Sequence, residues 1–162
     1  MNENSILEYF QAEKMESLLF MILGGIGILA AIFVFIYSIQ YKNIIYPFIV
    51  IGLIQIIVGG SVFFRTDKQV ESLLIQLSQN KIEFKKSETN RMQIVIKNFE
   101  YYKALEIFLI FLGIVLSYLY PARVGIYSIA IGLILESSLM LVLDLFAEKR
   151  AIDYLQWIQN LN

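Results

Sequence analysis

Glu136 is the residue best placed to do chemistry in this chain. It stands in an apolar stretch, about 15 Å in helical rise from the end that carries Phe146. A carboxyl group in such surroundings is costly as a lone charge, so it needs a partner or a proton. Gln55 lies at nearly the same depth in a second apolar stretch, and Ser137 and Ser138 could donate hydrogen bonds nearby. Two roles are open for this intramembrane polar group. It is a proton- or cation-linked site, or it is a neutral acid hydrogen-bonded to Gln55 that glues helices together.

A second constellation comprises Arg65, Asp67, Glu106, Asp144 and Glu148, joined by Glu16. All fall within about one helical turn of a common level, where apolar stretches give way to polar ones. Arg65 with Asp144 or Glu106 is the natural interhelical ion pair. An interfacial lock with snorkelling side chains and a cation or polar-ligand site both fit this pattern.

Other chemistry is poorly supplied. The chain has no histidine and no cysteine, which removes the commonest general base, the commonest transition-metal ligand, thiolates and disulfides. It has no phosphate-binding loop, no zinc-protease helix and no nucleophile elbow, and Gly24-Gly25-Ile26-Gly27 falls inside an apolar run. A net charge of −1 gives nothing with which to neutralise nucleic-acid phosphates. The expectation is no enzyme, no cofactor, no metal and no nucleic-acid partner.

The elements that must position these residues follow from hydropathy. Hydrophobic residues are 58% of the 162, more than a soluble core of that size absorbs. A spanning helix needs about 20 mostly apolar residues. Four windows qualify, at about 17–38, 47–64, 104–120 and 124–146. Pro47 suits the first turn of a helix, and Pro121 suits a turn between helices. The first residues carry Glu3, Glu8, Glu13 and Glu16 against Lys14, which is unlike a secretory signal.

Polar flanks set the expected orientation. Eleven of the 13 basic residues lie on one side: Lys14, the eight between Arg65 and Lys103, Lys149 and Arg150. Only Lys42 and Arg123 lie in the short loops opposite. The positive-inside rule therefore puts both chain ends and the middle segment in the cytoplasm of a bacterial inner membrane, a multi-pass arrangement.

Those cytoplasmic parts are patterned as helices. Val70, Leu73, Leu74 and Leu77 recur at helical spacing, as do Met92, Val95, Ile96, Phe99 and Tyr102. Ile6, Leu7 and Phe10 do so near one end, and Leu145, Ile152, Leu155 and Ile158 near the other. The segment 65–103 is expected as a helical hairpin, and 3–16 and 147–160 as terminal helices. Its turn is expected over Gln79-Asn80-Lys81 and Lys85-Lys86-Ser87, with Ser87 as a helix cap. The expected fold is all-α: one integral membrane four-helix bundle with helical extensions.

The halves also resemble each other. Phe10, Lys14, Leu23 and Gly24 match Phe99, Lys103, Leu112 and Gly113 at one offset. Ile51-Gly52-Leu53-Ile54 recurs as Ile131-Gly132-Leu133-Ile134, and Asp67-Lys68 and Leu74 match Glu148-Lys149 and Leu155 one step on. A two-fold internal repeat would give each half two spans and two extensions, related by an axis along the membrane normal. Chance self-similarity in an Ile-, Leu- and Gly-rich chain is the alternative.

Small residues share faces on every span. Gly24, Gly27 and Ala31 do so on the first, and Gly52, Gln55 and Gly59 on the second. Glu106, Gly113 and Ser117 do so on the third, and Gly125, Ser128, Gly132 and Glu136 on the fourth. Such faces let helices approach where lipid supplies no hydrophobic drive between them, within one chain or between copies in a homo-oligomer.

The stretches Phe64-Arg65-Thr66-Asp67-Lys68-Gln69, Glu88-Thr89-Asn90-Arg91-Met92 and 143–150 resemble those of small four-span bacterial membrane proteins. That group includes membrane immunity partners of secreted antibacterial toxins. The resemblance implies a non-enzymatic protein that works in the bilayer by binding another protein, as an immunity or accessory factor. The chain is also similar to small multidrug transporters in its four short spans and one membrane carboxylate. It departs from them in carrying the acid in the last span and in having extensions. A small transporter or channel built on Glu136, and a membrane sensor or scaffold, are the alternatives.

Overall fold

The computed structural model describes residues 2–161. Four α-helices account for nearly all of them: α1 Asn2–Tyr37, α2 Ile45–Gln79, α3 Lys81–Leu119 and α4 Val124–Gln159. All four are long and apolar enough to cross a membrane. Each has 35 to 39 residues, which at 1.5 Å per residue is about 54 Å. A bilayer's hydrocarbon core would take about 30 Å of that. The surplus is the polar extension, and no break separates it from the apolar window on any helix.

The connections explain why the helices stop where they do. A single 3-10 turn over Lys42–Ile44 leads into α2, and Pro47 sits in the first turn of that helix, where a missing N–H costs nothing. At the other end of α2 the break is one residue long. Asn80 adopts φ −150°, ψ 92°, and its side-chain carbonyl accepts from the Glu83 N–H at 3.1 Å. Asn80 is thus the cap of α3, with Glu83 in the first turn favouring the helix dipole. Ser87 is not a cap. It lies inside α3, donates to the Phe84 carbonyl and accepts from Gln76. The Lys85-Lys86-Ser87 run is helical because Asn80 has already satisfied the start of the helix.

The closest pairings are α1 with α2 and α3 with α4, and the two hairpins meet mainly through α2 and α4. Among the described residues the α1 and α3 backbones do not approach each other. The bundle's section is therefore a rhombus with α2 and α4 on its short diagonal.

Although Ala31, Ile51 and Ala130 are buried in the windows, the buried hydrophobic cluster lies in the extensions. Ile6, Tyr9, Phe10, Leu73, Phe84, Met92, Ala151, Tyr154, Ile158 and Leu161 are buried together there. Val70, Leu74, Leu77, Val95, Ile96, Phe99 and Leu155 pack against that cluster. Leu7, Tyr102, Leu145 and Ile152, expected on the same faces, are exposed instead. Tyr9 and Tyr154 stack at 4.2 Å between ring centroids, and Trp157 stacks on Tyr154 at 5.5 Å. In the apolar windows the pattern inverts, with Leu29, Phe33, Ile57 and Phe111 exposed.

Candidate functional site

The interior of the apolar windows is small and polar. Gln55 and Ser137 are fully buried, and Glu136 and Ser128 nearly so, while Ser138 is half-buried. Gln55 on α2 donates from Nε2 to Oε2 of Glu136 on α4 at 3.4 Å, a long contact for a hydrogen bond. The pair spans the short diagonal of the bundle. Gln55 Oε1 and Ser137 Oγ have no hydrogen-bond partner. Ser128 is satisfied locally by the Val124 carbonyl at 2.6 Å.

Two glycines of α1 make room for this pair. A Cβ on Gly27 would stand 2.7 Å from Glu136 Oε1, and one on Gly24 would stand 2.9 Å from Gln55 Oε1 and 2.7 Å from the Gly52 carbonyl. The remaining small residues bring backbones together. A Cβ on Gly52 would meet Ile28 at 2.8 Å, on Gly59 the Ser17 carbonyl at 2.6 Å, and on Gly113 Ile134 at 2.7 Å. Gly125 packs on the Asn43 side chain and Gly132 on the Pro47 ring. Gly25 and Gly60, which lie off these faces, have no such close neighbour.

At the level where windows and extensions meet, the charges sort differently from the expectation. Lys14 on α1 grips Asp67 on α2 at 2.7 Å, and Lys103 on α3 grips Glu148 on α4 at 2.6 Å. Arg150 pairs with both carboxylate oxygens of Glu16 and lies over the Tyr9 ring. Arg65 pairs with neither Asp144 nor Glu106. It is exposed and makes no ion pair among the described residues. Two residues can share a level and still point apart, because each step along a helix turns the side chain by about 100°. Glu106 and Asp144 stand next to each other instead.

The extensions hold a polar group that the sequence reading did not single out. Glu88, 2% exposed, accepts two bonds from Arg91 at 2.7 Å, and Arg91 lies over the Phe10 ring. Burial alone would make the Arg91 guanidinium less basic, but the hydrogen bond and charge of Glu88 outweigh it and hold the guanidinium charged. Burial pushes the Tyr9 and Tyr154 hydroxyls up, helped by Glu13 and Glu88 respectively, so both stay neutral. Burial also raises the Glu13 carboxyl above its ordinary range, against the opposing fields of Arg65, Arg91 and Arg150. The signal was available. Phe84, Glu88 and Met92 follow at i, i+4 and i+8, so Glu88 interrupts an apolar stripe.

No group of three or more acidic residues able to hold a metal ion occurs among the described residues. Comparison with protein-family models, with curated proteins and with solved structures finds no match to this chain, so fold and site are read from their own geometry.

Proposed function

We propose that this chain is a four-span bacterial inner-membrane protein that works by binding another protein, as an immunity or accessory factor for a secreted toxin. Both of its ends and the 65–103 hairpin are cytoplasmic in this reading. The observation that carries it is the sealing of the polar waist. Gln55 and Glu136 are buried against each other and against glycines of α1. A pair closed in this way suits structural glue better than a path for ions. What remains open to a partner is the surface. Ile75, Ile82 and Ile94 are exposed on the hairpin, on the part that extends beyond the apolar windows.

The paired hairpin locks support an internal duplication. Lys14–Asp67 and Lys103–Glu148 join residues that correspond in the two halves. In this reading each half is an inserted helical hairpin clamped at the membrane boundary.

Affinity purification of the tagged chain from its native membrane, followed by mass spectrometry, tests the binding reading. A stoichiometric protein partner is expected, and expression of the chain should protect cells from that partner if it is a toxin. Recovery of the chain alone, or only as a homo-oligomer, sinks the proposal.

One observation favours a second reading, a small transporter or channel. Gln55 Oε1 and Ser137 Oγ retain unused hydrogen-bonding capacity beside Glu136. That reading requires ion or drug flux in proteoliposomes that Glu136→Gln abolishes. Normal flux in the variant, or none in the wild type, rules it out.

A further inference from the structure

Sorting the boundary charges leaves a remainder. Asp67, Glu148 and Glu16 each have a basic partner in Lys14, Lys103 and Arg150. Arg65, on α2, is exposed, and its field is felt by Glu13. Glu106 on α3 and Asp144 on α4 have no basic partner among the described residues, and their carboxyl groups lie within hydrogen-bonding reach of each other. Glu106 is 2% exposed, and neither of its oxygens receives a bond from a protein donor. The other charges that face the pair are acidic. They are Glu148 from α4 and Glu16 from α1, each already committed to its own cation.

Two bare carboxylates in contact repel each other, and burial strips Glu106 of water while leaving Asp144 half-buried. One proton removes both costs, because it turns one group into an O–H donor and leaves the other as its acceptor. We propose that Glu106 and Asp144 form a proton-binding dyad that joins α3 to α4. A proton from water adds to one carboxylate, the resulting O–H donates to the second, and the pair carries one negative charge instead of two. The dyad sits in the second hairpin about one turn from the Lys103–Glu148 pair, so that hairpin is joined by a proton as well as by an ion pair, whereas the first has the Lys14–Asp67 pair. The inference does not depend on which protein, if any, the chain binds.

Infrared spectroscopy of the full chain in lipid vesicles near neutral pH tests this. The wild type should show the carbonyl stretch of a protonated carboxyl group, sensitive to exchange into heavy water. Glu106→Gln and Asp144→Asn should each remove that same band, because a neutral amide neighbour lets the remaining acid ionise. Glu136→Gln should leave the band in place. Loss of one band by either substitution is the signature of a shared proton. If no band depends on Glu106 and Asp144, or if both groups show only carboxylate stretches, the dyad is overturned. Should the two dyad variants fail to fold, a chain carrying both Glu13→Gln and Glu136→Gln decides alone, because Glu13 is the other carboxyl that burial raises: a protonated-carboxyl band near neutral pH upholds the dyad, and its absence overturns it.

Discussion

The extensions and the apolar windows belong to the same four helices and solve opposite packing problems. In the extensions Phe10, Phe84, Met92 and Ile158 are fully buried, as in any water-soluble helical bundle. In the windows the large residues point outward, and glycines, serines, Gln55 and Glu136 fill the middle. With the windows inserted in a bilayer as proposed, the difference follows from the surroundings. Water drives apolar side chains together, so the extensions assemble around aromatic rings. Lipid gives apolar groups no reason to leave it, so the windows associate by close backbone approach and a few hydrogen bonds. A single continuous helix such as α2 changes from one logic to the other within about four turns, between Gly59 and Leu73.

That contrast can be broken most forcefully in the aromatic core. Phe84→Ala should cost about 3–5 kcal/mol of stability, while Leu29→Ala, on an outward face in the window, should cost little. Denaturation in detergent micelles followed by circular dichroism measures both, and equal losses would erase the distinction. Next in size is the buried ion pair. Glu88→Ala leaves the Arg91 guanidinium without its carboxylate, and a loss of about 2 kcal/mol is expected. Replacing both residues by leucine and methionine should recover most of it.

Glycine substitutions sharpen the other half of the comparison. Gly59→Ala drives a methyl group into the Ser17 carbonyl, where backbone must move, and about 1–3 kcal/mol should be lost. Gly25→Ala meets open space and should be neutral. A matched loss at Gly25 would mean that helix packing is not what the glycines serve.

The smallest effect expected is a pH dependence from Glu13. Its carboxyl is raised in the folded chain by burial, so the folded state binds a proton that the unfolded state has released. Stability should therefore fall as pH rises from the ordinary carboxylate range, near 4.5, through the raised value. Melting temperatures of wild type and Glu13→Gln compared between about pH 5 and pH 8 should converge at the acid end. A wild type that gains stability with rising pH relative to the variant would reverse the sign.

Much of the fold was legible in the residues, for a physical reason. Windows of about 20 apolar residues and polar flanks with helical spacing are one-dimensional signals, and four long helices follow from them directly. Small residues at Gly24, Gly52, Gly59 and Gly113 mark a face by spacing alone. What a sequence hides is the rotation of one helix against another. Arg65 shares a level with Asp144 but not a direction, so the expected pair is absent and two acids meet in its place. The same limit concealed part of the extension core, although Ile6, Phe10, Leu73, Met92 and Ile158 were on the expected stripes. Tyr9, Phe84, Tyr154 and Trp157 lie on stripes whose meeting depends on how α1, α3 and α4 are turned. The cap at Asn80 was masked by a competing signal, since Ser87 is an equally good cap residue by type.

The unbroken run of α2 from Ile45 to a one-residue joint at Asn80 makes that helix a lever. Its arm from the level of Gln55 to the joint is about 25 residues, or about 37 Å. A tilt of about 5° around Gln55 would carry Asn80 sideways by about 3 Å, and α3 must follow because no slack separates the two helices. Small rearrangements in the middle of the bundle are thereby magnified at its far tip.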